Sequence, residues 1–245
     1  MTRSAAGGSS MLTIVVIAKE CVPGRVKTRL TPALSPEQAA DVAFASLTDT
    51  LETVASLGAD HLVLAFDGDP ANAPAAADGF EVVQQACGGL DNRLGAIFDT
   101  CTGPTLLVGM DTPQLTEADL RSALAGLAGP DSSGDVETHS HAWLGFANDG
   151  GFWALGMTDP DGLLIRGVPM SRDDTGSLQL QRLVDAGLGV TLLPELVDVD
   201  TFADAVEVAA AAPDSRFAAA FAAAVSTAPA SARPTAAPRS TAARA

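Results

Sequence analysis

Residues 12–29 read LTIVVIAKECVPGRVKTR, an apolar run that passes directly into a basic loop. The apolar run, residues 12–18, predicts a buried first strand. The loop carries four of the 14 basic residues and both lysines of the chain: Lys19, Arg25, Lys27 and Arg29. A basic Pro-Gly loop at the carboxyl end of a first strand is where open α/β sheets bind anionic ligands. The stretch therefore predicts a binding site for a phosphate-bearing small molecule.

Beyond this stretch, apolar runs of strand length alternate with segments of helical periodicity. The strands are predicted at 61–66, 80–84, 104–108, 142–147 and 190–193, and the helices at 36–57, 90–100, 116–127, 176–186 and 201–211. This alternation predicts an α/β fold with a doubly wound, mostly parallel sheet. We expect a single domain over residues 11–225, with a disordered N-terminus (1–10) and a disordered Ala/Pro/Arg tail (226–245).

The composition restricts the classes of partner. The 245 residues carry a formal net charge of −16, which argues against nucleic acid and against an anionic membrane surface. The three cysteines are odd in number and lack CxxC spacing, which is typical of a reducing compartment. No apolar run approaches the ~20 residues of a membrane-spanning helix, and no signal peptide is visible. We expect a cytoplasmic protein that acts on small molecules.

The basic loop has features suited to a diphosphate. Gly24 follows a proline and allows the backbone to approach a ligand closely. Arg25, Lys27 and Arg29 alternate, so an extended segment would place all three on one face. The alternative is a solvated basic loop paired with local carboxylates. A Walker A loop is excluded, because GxxxxGK[ST] is absent.

Two acidic motifs follow predicted strands. Asp111 lies in GMDTP after the most hydrophobic strand, and its carboxylate suits Mg²⁺ or Mn²⁺ held together with substrate phosphates; alternatively, it caps the following helix. The motif Asp149-Gly150-Gly151 brings a carboxylate and close-approach glycines together. Asp149 is a candidate base, sugar ligand or second metal ligand, or this is a simple turn.

Three further positions are weaker candidates. Asp198 and Asp200 would share one side of an extended segment, although Asp200 is equally suited to cap the last helix. Arg93, in GGLDNR, belongs to a second ligand loop or to a helix start. Ser171 lies in a polar loop that would face an acceptor.

The order of the motifs is more specific than any one of them. The series AKECVPGRVKTRLTP, GGLDNRL, GMDTP, NDGGFWALG, VPMSRDDTG and DVDT resembles the DUF2064 family over residues 12–210. The resemblance implies a GT-A-like fold of the nucleotide-diphospho-sugar transferase superfamily, similar to that of 2-phospholactate guanylyltransferases.

The resemblance also implies roles for particular residues. The nucleotide phosphates would be bound by Lys19, Gly24, Arg25, Lys27, Arg29 and Arg93. Asp111 would take the place of the metal-binding aspartate of a DxD motif. The first aspartate of that motif is absent, because position 109 is glycine. Asp200 would complete the metal site. The sugar or acceptor pocket would be lined by Asp149, Gly150, Gly151 and Ser171.

The function expected first is glycosyl transfer from a nucleoside-diphosphate sugar to a small-molecule acceptor, with Mg²⁺ or Mn²⁺ as cofactor. Asp149 would act as the base, and Lys27 is the second candidate catalytic residue. The alternative is a guanylyl- or cytidylyl-type nucleotidyltransferase that joins a nucleoside triphosphate to a phosphorylated small molecule and releases pyrophosphate. A third possibility is a nucleotide-binding domain without catalysis. The fold class hosts all three.

Overall fold

A computed structural model of the protein describes residues 11–129 and 140–227. Seven strands form one sheet: β1 (Thr13–Lys19), β2 (His61–Asp67), β3 (Glu81–Gln84), β4 (Thr105–Gly109), β5 (His141–Ala147), β6 (Phe152–Met157) and β7 (Gly189–Leu196). Their order across the sheet is β3-β2-β1-β4-β6-β5-β7. Strand β6 runs antiparallel to both of its neighbours, and the other pairings are parallel.

Six α-helices accompany the sheet within these ranges: α1 (Pro36–Ala55), α2 (Leu90–Thr100), α3 (Glu117–Leu127), α4 (Thr175–Asp185), α5 (Phe202–Ala211) and α6 (Arg216–Thr227). Helix α1 begins with a capping box, in which Ser35 Oγ accepts from the Gln38 amide and the Ser35 amide donates to Gln38 Oε1. No helix of the described ranges has the length and apolar character needed to cross a bilayer.

The sheet is buried on both faces, as the continuous apolar run of β1 requires. On one face, Ile14 and Val16 pack with side chains of α1 and α3 such as Leu51 and Leu120. On the other face, Val15 packs with residues of α2 and α4. This double coverage leaves the carboxyl ends of the parallel strands as the open edge at which a ligand can bind.

The strand–helix alternation predicted from sequence is confirmed, with two elements missed. Strand β6 follows the turn at 148–151 directly, and it makes a local antiparallel hairpin in an otherwise parallel sheet. Helix α6, which is rich in alanine, packs through Phe217 and Phe221 against α1 and α5. Residues 226 and 227, expected to begin a disordered tail, are the last residues of this helix. The rest of that tail and the predicted N-terminal segment 1–10 lie outside the described residues.

Candidate functional site

A cleft of about 730 Å³ lies at the carboxyl edge of the central strands. Its cationic lining residues are Lys19, Arg29, Arg93 and Arg172, and its acidic ones are Asp67, Asp111, Asp149, Asp173, Asp198 and Asp200. All of these residues come from strand ends or connecting segments except Arg93, which lies in the first turn of α2. The sheet topology therefore gathers motifs that are up to 181 positions apart in the sequence (19 to 200).

Backbone and side-chain hydrogen bonds tie the segments around Asp111 together. The Val199 amide donates to the Asp111 carbonyl at 3.0 Å. The Asp198 amide donates to Asn148 Oδ1 at 2.9 Å, which links the segment after β7 to the β5–β6 turn. Gln114 Nε2 donates to the Val197 carbonyl at 2.7 Å. The wall of the cleft formed by residues 198–200 is thus fixed to the floor formed by Asp111.

Lys27 lies beneath this wall. Its side chain is only 8% exposed, and its Nζ lies 2.7 Å from Asp111 Oδ1. The same ammonium donates a hydrogen bond to the Val199 carbonyl. Burial lowers the pKa of Lys27, but the carboxylates of Asp111, Asp198 and Asp200 outweigh that effect and hold the pKa above its ordinary value. Lys27 is therefore a permanent positive charge inside an acidic cluster.

The expectation that the basic loop is extended is wrong. Lys27 has a left-handed backbone (φ 47°), and residues 28–30 form a short 3-10 helix. The Arg25 side chain is exposed and does not line the cleft, Lys27 points inward, and Arg29 reaches the cleft. In an extended strand every second side chain lies on the same face, whereas a 3-10 helix has three residues per turn. The side chains of Arg25, Lys27 and Arg29 therefore point in different directions instead of sharing a face.

Two of the three arginines predicted to bind phosphate are already paired with carboxylates in the cleft. Arg29 forms an ion pair with Asp200, and Arg93 forms one with Asp67. Lys19, the last residue of β1, lines the cleft without a carboxylate partner among residues 11–129 and 140–227. Of the predicted phosphate ligands that line the cleft, Lys19 is thus the most readily available to an incoming anion.

The carboxylates outnumber the cations in this cleft. Four basic side chains line the cleft, and Lys27 contacts Asp111 from below, so five basic side chains lie close to six aspartates. The crowding acts most strongly on Asp198, since burial and the negative charge of Asp111 raise its pKa from 3.8 to about 8. With Asp198 largely protonated at neutral pH, five cations are balanced by five carboxylates, so the site has no surplus of positive charge before any ligand arrives.

The β5–β6 turn forms a further side of the cleft, next to residues 198–200. Asp149 is exposed, and its Oδ1 accepts a hydrogen bond from the Gly151 amide at 2.8 Å. Gly150 has φ +90°, and a Cβ there would come within 1.9 Å of the Asp173 carbonyl oxygen. The turn is therefore packed backbone to backbone against the loop that contains Ser171, as the Gly176 amide to Gly150 carbonyl bond of 2.8 Å also shows.

The donor chemistry fits a magnesium or manganese ion. Asp111 Oδ1 is a buried atom, and its polar contact within the described ranges is the Lys27 ammonium at 2.7 Å. Asp198 and Asp200 bring further hard oxygen donors to the same place. Within the described ranges, no three His, Cys, Asp or Glu side chains are already arranged as a metal site. That arrangement is compatible with an ion held by one or two carboxylates together with substrate phosphates.

The structure brings together most, but not all, of the residues predicted from sequence. The cleft is lined by Lys19, Arg29, Arg93, Asp111, Asp149, Gly151, Ser171 and Asp200. Lys27 touches Asp111 from below, whereas Gly24, Arg25 and Gly150 do not line the cleft.

Sequence reasoning gave too little weight to Asp198 and passed over Thr112. Thr112 is 1% exposed, lines the cleft and has an unpaired hydroxyl. The position of Thr112 directly after Asp111, at a strand end, was a usable signal.

Comparison with known proteins agrees with this architecture. A family model described as "Uncharacterized protein conserved in bacteria (DUF2064)" matches residues 50–172, half of the chain. No curated protein matches the sequence.

Among solved structures, a protein of Desulfovibrio desulfuricans G20 provisionally named a nucleotide-diphospho-sugar transferase superposes with a TM-score of 0.71 at 24% identity. The match covers 87% of this chain and 93% of that one. A CMP:2-keto-3-deoxy-manno-octonic acid synthetase complexed with CTP superposes with a TM-score of 0.52 at 15% identity, over 84% and 99% of the two chains. A nucleotidyl transferase from Methanothermobacter thermautotroptrophicus superposes with a TM-score of 0.50 at 17% identity, over 81% and 95%. These likenesses confirm the predicted fold of the nucleotide-diphospho-sugar transferases.

Proposed function

The chain belongs to the DUF2064 family, and we propose that it is a glycosyltransferase that uses a nucleoside-diphosphate sugar, a divalent cation and a small-molecule acceptor. One observation carries the proposal. The ammonium of Lys19, which has no carboxylate partner in the described part of the chain, and the carboxylate cluster around Asp111 line the same cleft, at the strand edge where this fold class binds ligands. The resemblance in fold to the D. desulfuricans protein supports the choice of donor.

Two kinds of side chain would bind the donor: basic ones directly, and acidic ones through the metal ion. Lys19 would bind the diphosphate directly, and Arg29 and Arg93 would exchange their aspartate partners for phosphate oxygens. Asp111 and Asp200 would hold Mg²⁺ or Mn²⁺, which supplies charge stabilisation to the departing nucleoside diphosphate.

Asp149 would take the proton of the acceptor hydroxyl. Its Oδ1 accepts a hydrogen bond from the Gly151 amide, which orients the carboxylate, and the residue lines the cleft in which the acceptor would bind. The proton moves from the acceptor oxygen to Asp149, that oxygen forms a bond to the sugar, and the bond from the sugar to the diphosphate breaks. Proton transfer would thus fall to a side chain that lines the same cleft as Lys19.

A second candidate is nucleotidyl transfer, which the fold of the CTP-bound synthetase favours. A phosphorylated substrate would then attack the α-phosphate of a nucleoside triphosphate, with pyrophosphate as the leaving group. Lys19 and the cation on Asp111 would stabilise the same kind of charge. Asp149 would not be required as a base, because a phosphate nucleophile is already ionised.

One experiment separates the two reactions. The full chain is incubated with Mn²⁺ or Mg²⁺ and panels of nucleotide sugars and nucleoside triphosphates, and melting temperature and products are followed. We expect stabilisation by a nucleotide sugar and release of a nucleoside diphosphate. Release of pyrophosphate from a triphosphate would establish the second reaction, and the absence of any nucleotide effect would refute both.

Matched variants test the assigned residues. Asp111→Asn is expected to lower turnover by at least 100-fold, and Asp149→Asn by about the 10²–10⁴-fold that a general base contributes. Asp214→Asn makes the same chemical change at an exposed position before α6 and should leave turnover unaltered. Unchanged turnover in Asp149→Asn would remove that residue from the mechanism.

A further inference from the structure

Lys27 occupies the position in which a cation would satisfy the carboxylate cluster. Its Nζ lies 2.7 Å from Asp111 Oδ1, within contact distance of an ion-pair partner. The side chain is almost fully buried, so solvent does not compete for the ammonium. A buried carboxylate without a counter-charge is strongly unfavourable, and Lys27 removes that penalty in the ligand-free protein.

The placement of Lys27 conflicts with a role as a simple phosphate ligand. Its ammonium also donates to the carbonyl of Val199, a residue that does not line the cleft. The cations that line the cleft instead come from Lys19, Arg29, Arg93 and Arg172. The charge on Lys27 is therefore directed at the protein's own carboxylates.

We propose that Lys27 is the resident counter-ion of Asp111 and that a divalent cation competes with its ammonium for this carboxylate. The inference rests on the proposed function, in which Asp111 holds the metal. Lys27 is a positioning residue in this scheme, because it acts through Asp111 and not on substrate. Two positive groups at one carboxylate repel each other, so metal binding to the nucleotide-free protein is weakened by the presence of Lys27.

The first test measures the binding of Mn²⁺ to the protein in the absence of nucleotide, from the electron paramagnetic resonance signal of the ion that remains free. Lys27→Met is expected to bind Mn²⁺ at least about tenfold more tightly than the wild type, although it is the less stable protein. A purely structural role for Lys27 predicts the opposite, namely weaker binding. Arg121→Met removes the same charge from the exposed side of α3 and controls for long-range electrostatics.

The second test uses the wild-type protein, so it does not depend on whether the variant folds. The chain has only two lysines, and ¹³Cε-lysine labelling therefore gives two NMR signals. Titration with Mg²⁺ alone is expected to shift the signal of buried Lys27 in the wild type, and the same titration of Asp111→Asn, which lacks the proposed metal ligand, is the control. The signals are assigned with Lys19→Arg.

The results decide the inference separately from the proposed function. The competition is overturned if Lys27→Met binds Mn²⁺ no more tightly than the wild type, or if the Lys27 signal does not move at saturating Mg²⁺. Neither result contradicts the proposed glycosyl transfer. If neither protein binds Mn²⁺ alone, the competition is overturned, whereas the proposed function, in which substrate phosphates help to hold the metal, is still decided by the thermal and product assay with nucleotides.

Discussion

Removal of the Lys27 charge should be among the most damaging single changes in this protein. In Lys27→Met the side chain keeps much of its apolar length but loses its ammonium. Asp111 then faces Asp198 and Asp200 without a positive neighbour beneath it, and the Val199 carbonyl loses a donor. Deleting one partner of a buried ion pair typically costs about 3–5 kcal/mol. We expect a loss of roughly 4 kcal/mol in the free energy of unfolding.

Urea denaturation followed by circular dichroism measures this loss. With a slope of about 2 kcal/mol per molar urea, a change of roughly 4 kcal/mol lowers the midpoint by about 2 M. Arg121→Met should change stability by no more than about 0.5 kcal/mol, as exposed substitutions do.

A double-mutant cycle assigns the loss to the ion pair. Lys27→Met combined with Asp111→Asn should cost less than the sum of the single changes, with a coupling of about 1–3 kcal/mol. If Lys27→Met is no less stable than Arg121→Met, or if the two changes are simply additive, the buried pair is not what holds this wall of the cleft.

Three further predictions follow from burial and backbone geometry. Because the folded-state pKa of Asp198 lies near 8 and its ordinary value is 3.8, the metal-free protein should lose stability as pH rises from about 4 to about 8, by at most roughly 5 kcal/mol. Asp198→Asn should flatten this dependence in urea titrations, and an unchanged slope would contradict the assignment. Thiol reagents at pH 8 should label exposed Cys87 first and Cys21 last, because burial raises the pKa of Cys21 to about 12; mass spectrometry of timed samples gives the order. Gly150→Ala should lower the free energy of unfolding by at least about 2 kcal/mol more than Gly79→Ala. Both glycines have φ near +90°, but only at Gly150 would the new Cβ collide with a backbone carbonyl. Equal melting temperatures of the two variants would refute the packing argument.

The parts of the fold that follow from local patterns were predictable from sequence. The continuous apolar run of β1 and the Ser35–Gln38 capping box of α1 depend on neighbours within a few residues. Strand β6 was missed because its residues, Phe152–Met157, follow an Asp-Gly-Gly turn that also suits an ordinary loop. Helix α6 was missed because an alanine-rich segment has little periodicity, and its position depends on packing against α1.

The cleft was predictable only in part. Strand ends followed by Asp111, Asp149 and Lys19 pointed to one edge of the sheet, and the structure places all three there. The inward turn of Lys27 was not predictable, since it depends on a left-handed backbone at a lysine and on a carboxylate 84 positions away. Asp198 was undervalued because its altered pKa arises from burial and from Asp111, neither of which is visible in the residues around it.

The wall formed by residues 198–200 has a consequence for how the protein is made. Synthesis proceeds from the N-terminus, so the basic loop and Asp111 leave the ribosome long before Val199 can donate its amide to the Asp111 carbonyl. Until then Lys27 lacks its carbonyl acceptor, and the ligand cavity has no closing side. In the proposed function, a nucleotide would therefore meet a complete cleft only after residues 198–200 have been synthesised.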